Sequence, residues 1–184
     1  MSHLAPSSTD LPAQLEENDP PRPLLIGWKE YLDLPDLGIF RLKAKIDTGA
    51  RTSTLHVDSL AVVEKLPDGT ELAELVLAPD RRHPDRQLAT RVRLLRRISV
   101  TDSGGRPEVR PLIETELVLG PLRKPILVTL TDRSAMLFRM IVGRTALTGD
   151  FRIDAGEKYL LRSWHPKRRR RRTRDRPEER WTPR

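Results

Sequence analysis

The stretch Ile39-Phe40-Arg41-Leu42-Lys43-Ala44-Lys45-Ile46-Asp47-Thr48-Gly49-Ala50 decides how this chain is read. Ile39, Leu42, Ala44 and Ile46 alternate with Arg41, Lys43 and Lys45, with a break near Phe40. A period of two means a strand with one buried face. The strand runs directly into an acidic residue, a hydroxyl and a glycine. Asp47 is thereby presented at a strand end by a tight loop. The Thr48 hydroxyl can reach a neighbouring loop, and Ala50 keeps the turn small. Gly49 has no Cβ, so its backbone can approach the carboxylate. A D-[ST]-G triplet occurs by chance in many proteins, so its meaning depends on what surrounds it.

Working outward, the same short period continues from about residue 24 to residue 161. Strands are expected at 24–29, 39–47, 55–66, 71–78, 91–101, 108–119, 124–130, 138–142, 151–154 and 158–161. Pro35-Asp36-Leu37-Gly38 is a turn. Pro67-Asp68-Gly69-Thr70 and Asp102-Ser103-Gly104-Gly105 join hairpins. Pro79 and Pro84 break an arginine-rich segment into a loop, and 145–149 can form one helical turn. Many short strands with turns every 8–12 residues predict an all-β fold, a small barrel or sandwich.

The 184 residues fit one domain with flanking tails. Aromatic residues are few, so the core must come from Leu, Ile, Val and Ala. Cysteine is absent, which rules out disulfides and thiolate metal sites and fits the cytoplasm. Residues 1–23 carry no signal-peptide pattern and read as a disordered arm. No window is long enough for a transmembrane helix. The net charge of +8 is unevenly placed. Residues 162–184 hold 11 Lys and Arg against 3 Asp and Glu, while the rest of the chain is balanced. The run Lys167-Arg168-Arg169-Arg170-Arg171-Arg172 lies in this second, disordered, basic tail. It reads as a solvated extension, a salt-sensitive contact to RNA, or a tether to an acidic partner.

A second element gives the Asp47 loop its context. Ile141-Val142-Gly143-Arg144 is an apolar strand that ends in glycine before a helical turn. Together, IDTGA at 46–50 and IVGRTAL at 141–147 resemble retropepsins, the dimeric aspartic proteases of retroviruses. The blocks at 26–56, 96–120 and 130–161 are similar to one bacterial retropepsin-like family. That family is named for ATP-dependent zinc proteases and associated with RimK-type glutamate ligases.

The resemblance covers roughly residues 24–161. It implies a closed retropepsin-like β-barrel with one short helix, and an active site formed by homodimerisation. Asp47, Thr48 and Gly49 would be catalytic, supported by Ala50, Ile141, Val142 and Gly143. The implied activity is an aspartic-type endopeptidase without cofactor, acting on peptides and on glutamate tails such as those of a small-subunit ribosomal protein. A retropepsin-like module that binds acidic peptides without cutting them is the alternative. A basic RNA-associated accessory protein is a third reading.

The zinc and ATP in the family's name find no matching motif. His3, His56, His83 and His165 form no H-x-x-x-H pair, and no Gly-rich phosphate loop is present. A second D-S-G begins at Asp102, only 55 residues after Asp47, which is too short for a second pepsin-like lobe. Asp102, Ser103, Gly104 and Gly105 therefore read as a hairpin turn and a candidate flap. An acidic substrate needs positive charge, and Arg51, Arg110, Arg139 and Arg144 lie nearest the motifs. Arg51 is favoured as a bidentate carboxylate reader, with His56 and Arg110 as further substrate contacts. The arginines also read as solvated strand-face residues or structural ion pairs, and His56 as an ordinary strand histidine.

Overall fold

A computed structural model describes residues 23–101 and 104–165. The first expected strand, 24–29, stops at Gly27, and a second strand that was not expected starts at Lys29. β1 (Leu24–Gly27) and β2 (Lys29–Leu34) are separated at Trp28 and enter different sheets. The cause is Glu30, fully buried, whose carboxylate accepts the Gly27 N–H at 2.8 Å and the Leu160 N–H at 2.9 Å. A Cβ on Gly27 would meet the Glu157 carbonyl oxygen at 2.5 Å, so this close seam requires glycine. β2 alternates as cleanly as any strand, with Glu30, Leu32 and Leu34 inward. The charged inward residue hides that period in the sequence.

Pro35–Leu37 forms a single 3-10 turn closed by Gly38 at φ 69°, the left-handed region that glycine tolerates. β3 (Ile39–Ile46) follows. Its break is at Arg41, whose φ is 57° and whose N–H is held by the Asp33 carboxylate at 2.5 Å.

The expected strand at 55–66 also divides. β4 (Ser53–His56) belongs to the barrel and β5 (Ser59–Lys65) to an outer sheet. Asp58 makes the corner, accepting the Ala78 N–H at 2.7 Å while its own N–H goes to the Val76 carbonyl. β6 (Glu71–Leu77) and β7 (Leu88–Leu94) complete that three-stranded sheet. Ala73, Leu75 and Leu77 bury its inner face. β8 (Arg96–Thr101), β9 (Pro107–Leu119) and β10 (Leu122–Thr131) return the chain to the barrel. β11 (Met140–Val142), α1 (Arg144–Leu147) and β12 (Phe151–Asp154) follow.

The main sheet runs β10-β4-β11-β3-β2-β9-β8, and β10 also pairs with β9. That pairing closes six strands into a barrel, with β8 extending the β9 edge. Closure removes the unpaired edge that an open sheet would present. The interior is aliphatic: Leu32, Leu42, Ala44, Leu55, Ile113, Leu117, Val128, Met140 and Val142 are all buried.

Residues 158–161 are not a strand. The amides of Tyr159, Leu160 and Leu161 go to the Lys29 carbonyl and the Glu30 carboxylate instead of a ladder, and Tyr159 has a φ of 57°. The ordered packing reaches a 3-10 turn at Arg162–Trp164 and a buried His165. The arm and the polyarginine run lie outside the described residues.

Candidate active site

β3 delivers Asp47 to the barrel's end, and β11 holds it there. β11 is sandwiched between β3, to which it is parallel, and β4, to which it is antiparallel. The ladder continues one step past the strand end, since the Asp47 N–H donates to the Val142 carbonyl at 2.9 Å. The Asp47 carboxylate folds back over its own turn. Oδ1 accepts the Gly49 N–H at 3.2 Å, and Oδ2 pairs with Lys45 Nζ at 3.3 Å. The Asp47 side chain is about a quarter exposed, and Thr48 and Gly49 are open to solvent.

The segment after β11 braces the same loop. The Arg144 and Thr145 amides donate to the Ala50 and Arg51 carbonyls at 2.9 and 3.1 Å. Arg144 Nη1 donates to the Thr48 carbonyl at 2.7 Å and the Gly49 carbonyl at 3.2 Å. Gly143 has ordinary extended backbone, with φ −85° and ψ 170°. Its need for glycine is steric, because a Cβ there would lie 2.6–2.9 Å from backbone atoms of Arg51 and Thr52. Its N–H donates to Ser53 Oγ at 3.1 Å. Beneath the loop, Thr129 Oγ1 donates to the Ser53 carbonyl, and the Thr54 and Thr129 hydroxyls are 2.9 Å apart. These buried polar groups are satisfied by one another, which fixes the floor of the site. Ser53, Thr54 and Thr129 carry no sequence motif. The only signal for Ser53 and Thr54 is the run Thr52-Ser53-Thr54 directly after the Asp47 loop, and Thr129 has none.

Thus Asp47 through Ala50 and Ile141 through Gly143, expected as one unit, are brought together. Arg51 is exposed, with its carbonyl taken by Thr145. His56 is fully buried. Its Nε2 is 2.8 Å from Asp58 Oδ1, and its Nδ1 accepts the Arg133 N–H at 2.9 Å. Both ring nitrogens are therefore spent within the fold, Nε2 on the Asp58 corner and Nδ1 on the loop that follows β10. Arg110 is buried and paired to Glu108, with Nη2 at 2.6 Å and Nε at 2.8 Å. Asp102 and Ser103 lie outside the described residues. Gly104 and Gly105 form the β8–β9 turn, with Gly105 at φ 82°.

Arg133 carries no sequence motif. Burial pulls its guanidinium below the usual value, and the like charge of Arg110 pulls it further. The Asp47 carboxylate acts in the opposite sense. Arg133 therefore lies within electrostatic reach of both. Arg139 is also buried, and its Nε and Nη1 have no hydrogen-bond partner among the described residues.

The donor set does not suit a metal ion. Among the described residues no group of three or more His, Cys, Asp or Glu is arranged to hold one. His56, beside Asp58 and Asp132, has no free ring nitrogen to offer. Among the described residues, no helix is long and apolar enough to cross a membrane.

A family model described as RimB-like, retropepsin-like aspartic endopeptidase RimB, matches residues 25–163. A probable alpha-L-glutamate ligase of Parasynechococcus marenigrum is 32% identical over 140 residues, covering 76% of this chain and 30% of the relative. A probable alpha-L-glutamate ligase of Desulfotalea psychrophila is 34% identical over 139 residues, covering 74% and 29%. The chain thus spans less than a third of the length of these curated relatives. A crystal structure of a Legionella pneumophila protein of unknown function shares the fold. Its TM-score is 0.62 at 22% identity, covering 75% of this chain and 98% of that one.

Proposed function

The chain belongs to the RimB-like family of retropepsin-like aspartic endopeptidases, and from that premise we propose that two copies join their Asp47 carboxylates into one peptide-cutting dyad. The observation that carries the reading is the bracing of the Asp47 loop. Two backbone amides and the Arg144 guanidinium fix the carbonyls of residues 48–51, leaving the carboxylate at the rim. A loop held this firmly around one partly exposed carboxylate is suited to positioning a reactive group. The chain supplies one such carboxylate, and a two-fold copy supplies the second. The exposed Thr48 hydroxyl is then available to the partner's loop.

Two carboxylates about 3 Å apart cannot both ionise cheaply, so they share one proton. The ionised member takes a proton from a bound water, whose oxygen bonds to the scissile carbonyl carbon. The protonated member donates to the carbonyl oxygen. The resulting diol collapses with cleavage of the C–N bond. The amide nitrogen leaves with a proton, and a carboxyl and an amine are released. No covalent enzyme intermediate forms.

We place the substrate among glutamate-rich peptides, including tails of the kind a RimK-type ligase adds. The relatives' description as probable glutamate ligases and the arginines around Asp47 support that class. The basic run at 167–172 suits contact with ribosomal RNA or another polyanion. Asp47→Asn tests the chemistry. It should lower trimming of a glutamate-tailed peptide at least 10³-fold in kcat, since a dyad member acts as part of a unit, while folding and dimerisation persist. Trimming at the wild-type rate by that variant would sink the dyad mechanism. Peptide binding by the wild type without any cleavage would favour a silent module that recognises acidic peptides.

A further inference from the structure

A guanidinium shut away from water without an anion costs several kcal/mol, so proteins seldom keep one. Arg139 is such a group, only 8% exposed and with two of its nitrogens unpartnered among the described residues. Two other charged groups show the contrast. Arg110, equally buried, is neutralised by Glu108. Asp132 is within electrostatic reach of Arg139, but its Oδ1 accepts the Ser134 N–H at 2.7 Å and its side chain is 72% exposed.

The register says where Arg139 points. It precedes Met140, which is fully buried in the core and pairs with Ala44 and Leu55. Arg139 itself lies just before the strand, but its carbonyl accepts the His56 N–H at 2.7 Å and carries the ladder to β4 one step further, so by strand alternation it falls on the opposite face with Ile141. Ile141 pairs with Lys45, and Lys45 touches the Asp47 carboxylate. From Arg139 to the Val142 carbonyl that holds Asp47 is three strand residues, roughly 10 Å. An extended peptide covers that distance in about three residues. Arg133, anchored through its N–H to His56, adds a second cation within reach of Asp47.

We infer that Arg139, with Arg133 beside it through the bond to the Phe138 carbonyl, is a carboxylate-reading subsite for an acidic substrate residue within about three positions of the scissile bond. The inference rests on the peptidase reading of Asp47, and it names the residue that selects the substrate. The site is half-built in the free protein: the cation is already buried, and the substrate brings the anion. Glutamate and glutamine have the same shape, so the subsite separates them by charge alone. The uncharged amide leaves the buried cation uncompensated.

The test uses full-length protein and two otherwise neutral peptides that differ by one Glu-to-Gln exchange. Any pull from the basic tail is then common to every protein compared. Wild type should favour the glutamate peptide at least tenfold in kcat/KM. Asp47→Asn should show the same preference in equilibrium binding. Arg139→Met should erase the preference in both measurements while holding or raising Tm, because it removes an uncompensated buried charge. Arg139→Lys should restore part of the preference. A purely structural arginine would behave in the reverse way, with Tm falling and the glutamate-to-glutamine ratio unchanged, and that result overturns the subsite. Discrimination in binding that depends on Arg139, without cleavage by wild type, would remove the peptidase reading and leave the subsite standing. Cleavage without discrimination would remove the subsite and leave the peptidase.

Discussion

The two loops that border β11 are built on opposite principles. Loop 47–52, held at the far end of β11, has its polar groups answered within the chain: amide to carbonyl, guanidinium to carbonyl, carboxylate to Gly49 and Lys45. Loop 132–139, which leads into β11, is anchored only at points. The Arg133 N–H goes to His56, Arg133 Nε to the Phe138 carbonyl, and the Arg139 carbonyl to the His56 N–H. It leaves two buried nitrogens of the Arg139 cation without a hydrogen-bond partner among the described residues. The first loop is finished before substrate arrives, as a loop that must hold reacting atoms in place should be. The second leaves an electrostatic debt for a ligand to settle. A stability-only account would predict the same completeness in both.

The sharpest way to break this contrast is Gly143→Ala. The backbone there suits alanine, so any loss comes from the 2.6 Å approach to Thr52 and not from backbone strain. Either β11 or the Asp47 loop must move. Overpacking of this kind costs roughly 1–3 kcal/mol, and rigid backbone on both sides places the cost at the upper end. Denaturant unfolding should show that loss, with kcat falling at least 10²-fold because the carboxylate shifts with its loop. Gly27→Ala is the matched control. Its added Cβ would meet the Glu157 backbone at 2.5 Å, at the seam between β1 and residues 157–158. It should cost similar stability and leave kcat of the folded fraction unchanged. Equal kcat losses in both variants would show that the Asp47 loop is no more dependent on its support than the rest of the fold.

Arg144→Met has a smaller expected effect. It removes the hydrogen bonds to the Thr48 and Gly49 carbonyls, which lie at the surface. Bonds from a charged donor are worth about 1.5–3 kcal/mol when buried and less where water competes. A stability loss of about 1 kcal/mol and a roughly tenfold fall in kcat at constant KM are expected from unfolding and steady-state measurements. A rise in KM alone would instead make Arg144 a substrate contact.

The sequence discloses the completed loop far better than the open one. The reason is that the Asp47 loop is made by short-range chemistry. A period-two strand, a small acidic turn and a glycine before a helical turn each leave a local mark, and 46–50 and 141–147 carry them in order. Loop 132–139 has no such mark. Arg133 and Arg139 matter through burial, and burial is set by strand register between residues more than 80 positions apart, as for Met140 and Leu55. The split strands have the same explanation. Residues 55–66 and 91–101 read as single periods because the local pattern continues. Asp58 and the Leu95 N–H, however, spend their hydrogen bonds on other strands and turn the chain between sheets. Glu30 shows the converse. An inward charge is a poor strand signal until its amide partners are in place, and two of the three, at Leu160 and Leu161, are distant in sequence.

The mildest perturbation of the open loop is protonation of Asp132. The Ser134 N–H and hydroxyl hold its carboxyl below the usual value, with minor help from His56 and Arg139. A carboxyl whose folded value is lowered contributes stability that is fully present above its unfolded value. That contribution is lost as pH falls through the folded value. The window therefore lies at and below about pH 4, and the group is too exposed for a large effect. Asp132→Asn should flatten the stability-against-pH curve there and leave it unchanged near neutrality, as read by denaturant unfolding at a series of pH values. It also sharpens the comparison between the loops. If Asp132 were the true partner of Arg139, its loss would leave the cation still less compensated, and stability would fall at neutral pH as well. Unchanged neutral stability keeps the position opposite Arg139 open for a carboxylate from outside the chain.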